Sequence, residues 1–273
     1  MFQHHVRPST IRTILRMMGL IYHSIVRDVR KSHHNALVGL FMNMLQTLAF
    51  VMTFFLMFNL MGMRGGGIRG DFLLYIMSGI FLFMLHTKAV GAVVGSEGPS
   101  SAMMQHAPMN TTIAIASAAL ASLYLQLLSL FCVLFIYHVA ITPVKIDDPI
   151  GAMAMVLMAW FSGVGVGMVF LAVKPWFPDF TSFATQIYSR ASMVASGKMF
   201  VANSLPSYML AMFDWNPLFH AIDQTRGYVF LHYNPHFSSP TYPLYVGTAL
   251  IMIGLMGEFY TRRHASLSWS AGK

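Results

Sequence analysis

The sequence predicts an all-α membrane protein with six transmembrane helices, an N-terminal amphipathic interface helix and re-entrant helices before the last span. Three observations predict it. The 273-residue chain is 56% hydrophobic and only 10% charged, against roughly 25% charged residues in a soluble globular domain. Its uncharged stretches are long: no Asp, Glu, Lys or Arg stands from Ala36 to Met63, from Gly98 to Val144, or from Gly227 to Gly257. About 20 apolar residues cross a bilayer core as a helix, so each stretch can span, and the middle one leaves room for a loop. Most of the 17 Lys and Arg collect at the ends of the apolar segments. The net charge of +8 therefore reads as orientation signals and headgroup contacts, and nucleic-acid binding is rejected.

Residues 1–35 read as a basic cytoplasmic region, and no cleavable signal peptide is expected in them. Within it, 9–32 reads as an amphipathic helix: Ile11, Ile14, Leu15, Met18, Ile21, Tyr22, Ile25 and Val29 recur at spacings of three and four. Arg12, Arg16, His23, Arg27 and Arg30 take most of the other faces, which suits a helix lying in the membrane interface. The membrane domain covers 36–261, with spans at 37–61, 72–94, 113–141, 150–173, 182–205 and 242–260, and 262–273 is a cytoplasmic tail. The fifth span is the most polar. The external segment 206–240 is rich in Pro and aromatics, too broken for a simple span, and reads as re-entrant. Six spans put both termini on one side. That side holds ten basic residues against four on the other, with Lys88, Arg190 and Lys198 inside spans. Both termini are therefore expected in the cytoplasm.

Arg190 and Lys198 are the charges that most need explaining, since a charge at the centre of a spanning helix costs about 2.5–3.5 kcal/mol on insertion scales. Eight residues apart, they fall on one helix face, as expected of groups facing a hydrophilic conduit; the alternative has Arg190 snorkelling to the cytoplasmic interface. The loop from Gly95 to Thr112, with Glu97, Pro99, Gln105, His106 and Pro108, reads either as a short coupling helix between two prolines or as an ordinary connector. Asn216-Pro217 is a helix-start signal, and His220, Asp223 and Arg226 follow on one face, with Asp223 and Arg226 spaced for an i,i+3 pair.

Catalytic and metal chemistry find little support. His232 and His236 have ligand spacing, but Pro235 breaks the helix that would align them. Asp147 and Asp148 are adjacent in a short external loop, where neighbouring carboxylates stay solvated. Cys132 reads as a packed, inert thiol. Gly163, Gly165 and Gly167 read as close helix packing, and Trp176 as part of an interfacial aromatic belt. No G-x-x-x-x-G-K-[ST] motif occurs, so any ATP would be bound by a partner. No catalytic, cofactor or metal residue is assigned.

Several local runs together resemble one family. Arg27-Asp28-Val29-Arg30-Lys31, leading to Asn35-Ala36-Leu37-Val38-Gly39, resembles a charged stretch and the Leu-Gly start of a first span. Phe177-Pro178-Asp179 resembles an aromatic-Pro element before the fifth span. Arg190 with Ser196-Gly197, then Leu205-Pro206, resembles the passage from that span to an external turn. The fullest match is Trp215-Asn216-Pro217-Leu218-Phe219-His220-Ala221-Ile222-Asp223 with Arg226. In this order, over about residues 10–265, the chain resembles the type-2 ABC exporter permeases of the polysaccharide and polyol-phosphate export group. Met44-Leu45-Gln46 departs from the Glu-Pro-like pair expected in the first span.

The resemblance implies a permease without its own ATPase site. Two copies would form a homodimeric channel above two ABC ATPase subunits in the bacterial inner membrane and pass a lipid-linked glycan (capsule, O-antigen or similar) outward. Periplasmic and outer-membrane export proteins are further partners it allows. Arg27, Arg30, Glu97, Pro99, Gln105 and Pro108 would contact the ATPases, Arg190 and Lys198 would face the conduit, and Trp215, Asn216, Pro217, His220, Asp223 and Arg226 would form the re-entrant motif. A stand-alone secondary transporter or channel, or a type-2 permease for a drug or lipid, is the alternative. Ion coupling usually needs intramembrane carboxylates, and none of the nine acidic residues is expected mid-span.

Overall fold

The computed structural model describes residues 10–31, 36–62, 68, 70–96 and 111–264. Among these the chain is all-helical, in the order α1 (Thr10–Lys31), α2 (Ala36–Leu60), α3 (Phe72–Val94), α4 (Thr111–Ala140), α5 (Pro149–Val173), α6 (Pro178–Ala195), a 3-10 turn (Ala202–Ser204), α7 (Ser207–Leu210), α8 (Pro217–Val229) and α9 (Tyr242–His264). Five of these helices, α2, α3, α4, α5 and α9, are long and apolar enough to cross a membrane. The coupling candidates Glu97, Pro99, Gln105 and Pro108 lie outside the described residues, as does the side chain of Arg30.

The segment expected as a continuous span over 182–205 folds differently. Pro178 starts α6, where a proline suits the first turn. The helix then stops at Ala195 because Gly197 takes a left-handed φ of 72°. A side chain there would also strike the ring of Phe219, 2.8 Å from the position of its Cβ. Lys198 thus lies beyond the helix, and the expected common face with Arg190 does not exist.

Local chemistry fixes the other ends. Asp71 caps α3, accepting from the backbone N–H of Leu73 (3.0 Å) and Leu74 (3.4 Å), and Tyr137 near the end of α4 donates its hydroxyl to the same carboxylate. Asp148 caps α5 through Ile150 and Gly151, both at 3.0 Å, while its own N–H donates to the Tyr228 carbonyl at 2.8 Å. Far from being simply solvated, Asp148 therefore ties α5 to α8.

The core lies around α3 and α5. Within the best 18-residue window of each span, 83% of α3 is buried against 17% of α2 and of α9, so α3 is central and the other two are peripheral. The glycines of α5 permit close approach: a Cβ on Gly163 would lie 2.7 Å from the His86 carbonyl of α3, and one on Gly165 would lie 2.9 Å from the Gly247 carbonyl of α9. The ends of α3, α5 and α9 meet, since Lys174 Nζ donates to the Val94 carbonyl at 2.7 Å and Trp176 Nε1 to Thr261 Oγ1 at 2.9 Å. The start of α4 joins the same end, where Ile115 and Ala119 pack with Ala89, Val93 and Leu171. Helix α1 docks there, as Ser117 of α4 donates to Asp28 at 3.0 Å.

Candidate functional site

Almost every polar side chain of α8 is buried. Asn216 caps the helix, accepting from Leu218 N–H at 3.0 Å, and its amide donates to the Ala195 carbonyl at the end of α6, 3.1 Å away. Pro217 occupies the first turn. Trp215 stays outside, 61% exposed, and its carbonyl accepts from the Tyr242 hydroxyl at 3.0 Å. His220 donates from Nε2 to the Asp214 carbonyl (2.5 Å) and accepts at Nδ1 from Ser239 N–H (3.0 Å), which fixes its tautomer. Burial holds this imidazole below its usual pKa, partly offset by the Asp214 carbonyl.

Asp223 and Arg226 do not form the expected pair; the bonding groups of each lie elsewhere. Asp223 accepts from the Tyr233 hydroxyl on one oxygen and from Ser238 Oγ on the other, the latter at 2.7 Å. Burial, then the Asp223 charge, pushes the Tyr233 phenol well above its usual range. Arg226 is 1% exposed. Its Nη1 donates to the carbonyls of Gly197 (2.9 Å) and Phe200 (2.6 Å), and its Nη2 to that of Lys198 (2.7 Å). The guanidinium also lies 4.2 Å from the centre of the Tyr75 ring of α3. A rigid planar fork suits this task, because three carbonyls of an irregular stretch need donors in one plane.

The two conduit candidates separate. Lys198 is 3% exposed and turned inward. Its ammonium sits 3.8, 4.6 and 4.8 Å from the ring centres of Phe83, Phe54 and Phe50, with no hydrogen bond among the described residues. Three aromatic faces thus replace water around a buried charge. Arg190 is exposed, on a stripe of α6 with Phe183, Ile187 and Val194, and Ser182 and Gln186 are exposed beside them. Only Thr181 and Ser192 of α6 are buried.

Arg27 is partly buried on α1, with Nη2 3.5 Å from Asp28 Oδ1. One polar cluster has no counterpart in the sequence reading. His86 of α3 is fully buried, donates from Nδ1 to the Ala159 carbonyl of α5 at 2.9 Å, and accepts at Nε2 from the Tyr188 hydroxyl of α6 at 2.7 Å. A histidine inside an apolar span was the signal for it. His86 is a polar link from α3 to α6, which touches α3 and α5 only sparsely.

Among the described residues no three His, Cys, Asp or Glu side chains gather as metal ligands. The arrangement holds helices together and leaves one face of α6 open. The chain matches no protein-family model and no curated protein.

Proposed function

We propose that this chain is the membrane-spanning permease subunit of a type-2 ABC exporter that moves a polysaccharide, such as a lipid-linked capsule or O-antigen glycan, across the bacterial inner membrane. A separate ATPase subunit, in two copies, drives two copies of the chain. The observation that carries this reading is the pairing of an outward-facing polar α6 with a buried polar α8.

The geometry supports a sixth crossing. Helices α3, α5 and α9 end together, so the chain leaving α5 at Lys174 must return to the opposite end before α9 begins at Tyr242. In that interval α6 is the longest helix. Its 18 residues rise about 27 Å at 1.5 Å each, close to the roughly 30 Å of a bilayer core. In this reading α6 crosses and α7 and α8 form the external re-entrant segment, tolerated because its backbone is satisfied by protein. Both termini then lie in the cytoplasm, with α1 and the end of α3 at Val94 toward the ATPases.

A crossing helix that turns Ser182, Gln186 and Arg190 outward needs protein or water on that face. A second copy across a hydrophilic conduit supplies both. Arg190 keeps its place as a conduit residue; Lys198, caged by phenylalanines, becomes an internal support. Purification of the full chain from its native membrane in mild detergent tests this. An equimolar P-loop ATPase is expected, and a chain that transports its substrate in vesicles without ATPase or nucleotide would overturn the reading.

A further inference from the structure

A cavity among the described residues lies between α1, α2, α3 and α4, away from α6 and α8. It encloses about 1010 Å³, at the upper end of the roughly 300–1,000 Å³ of small-ligand sites. Its walls are mostly apolar or small, but they include Lys88, Gln46, Asn43, Arg27 and Asp28. Charge on this lining is unbalanced. The one carboxylate, Asp28, already faces Arg27 at 3.5 Å and accepts from Ser117 at 3.0 Å. Lys88 donates to Gln46 Oε1 at 2.8 Å and has no carboxylate partner among the described residues. Lys88 is exposed into this space, and of the three protons an ammonium can donate two are left for water or for another acceptor that enters the cavity.

Depth indicates what that acceptor is. Lys88 stands six residues before the end of α3 at Val94, about 9 Å along the axis. Amphipathic α1, the kind of helix that lies at the boundary of headgroups and acyl chains, closes the same end of the cavity through Arg27, Asp28 and Val29. On the α2 wall, Met42 and Leu45 are 48% and 50% exposed. Beside the Arg27–Asp28 pair, the space therefore offers one cation without a carboxylate partner among the described residues, near the amphipathic helix, with apolar walls next to it.

We propose that this cavity binds one anionic phospholipid, with its phosphate on Lys88 and Gln46 and its acyl chains along α2 and α4. Such a lipid would bind whatever the chain transports, so the site is independent of the exporter reading.

Gly91 provides a clean probe. It lines the cavity, and a Cβ there would meet no atom within 4 Å, so the side chain of Gly91→Leu starts into open space, and leucine raises helix propensity. The full chain would be purified and its retained lipid measured by native mass spectrometry with phosphatidylglycerol, phosphatidylcholine or a polyprenyl phosphate. The wild type should retain phosphatidylglycerol about tenfold over phosphatidylcholine, Lys88→Gln should remove that preference, and Lys88→Arg should keep it. Gly91→Leu, with an unfolding temperature at or above wild type, should retain neither phospholipid. Three results would overturn the proposal: equal phosphatidylglycerol retention in wild type, Lys88→Gln and Gly91→Leu; Lys88 dependence with polyprenyl phosphate alone; or a Gly91→Leu chain that keeps its lipid and loses a dimer, which would assign the cavity to a second copy.

Discussion

Helix α8 buries His220, Asp223, Gln224, Thr225 and Arg226, whereas α6 buries only Thr181 and Ser192 and turns Arg190 outward. Both are too polar for a lipid-facing span. In α8 every charge meets a group from the same chain: Arg226 meets three carbonyls, and Asp223 meets two hydroxyls. In α6 Arg190 and its neighbours Ser182 and Gln186 face away from the chain. The polar groups of the two helices therefore serve two ends. Those of α8 hold an irregular segment in shape, and those of α6 at positions 182, 186 and 190 are left exposed.

The largest effect should come from Arg226→Leu. It strips donors from the carbonyls of Gly197, Lys198 and Phe200, and the loss in thermal unfolding should be about 3 kcal/mol or more. Arg226→Lys should recover only part of it, because one ammonium cannot span the three carbonyls. A loss below about 1 kcal/mol in Arg226→Leu would break the contrast between the helices. Tyr233→Phe combined with Ser238→Ala leaves Asp223 without its donors and should cost about 2 kcal/mol by the same measurement.

Tyr188→Phe should cost less, about 0.6 kcal/mol, the usual size of an interhelical hydrogen bond in membranes. Hydrogen exchange should speed up in α6 and not in α8. Acid should have a small effect through His220. Its folded pKa lies below the ordinary value near 6.5, so below that pH the unfolded chain takes up the proton first and stability falls. That fall should shrink in His220→Gln. Smallest for stability is Arg190→Ala, expected within about 0.5 kcal/mol of wild type while export is lost. Unchanged export would remove Arg190 from the conduit.

Much of this fold is legible in the sequence, for physical reasons that also mark where legibility ends. The apolar runs of α2, α3, α4, α5 and α9 are long enough to span, and each begins and ends within two residues of expectation apart from the extension of α9 to His264. The three-four spacing of α1 and the Asn216-Pro217 start of α8 were equally plain, because both are local signals. The end of α6 was not, since it depends on Gly197 fitting against Phe219. The partners of Asp223 and Arg226 were hidden likewise: spacing puts them on one face, but distant carbonyls and hydroxyls compete successfully for them. The cavity at Lys88 is assembled from four helices and has no sequence signature.

Cysteine accessibility along α6 separates an aqueous path from lipid on its outward face. Replacing Cys132 leaves a chain without cysteine, into which Gln186→Cys, Arg190→Cys and Ser192→Cys can be placed singly. In membrane vesicles, a conduit between two copies predicts that a charged, water-soluble maleimide labels the first two positions and spares the buried third. Labelling of positions 186 and 190 only by a lipid-soluble maleimide would place that face in hydrocarbon and contradict the conduit.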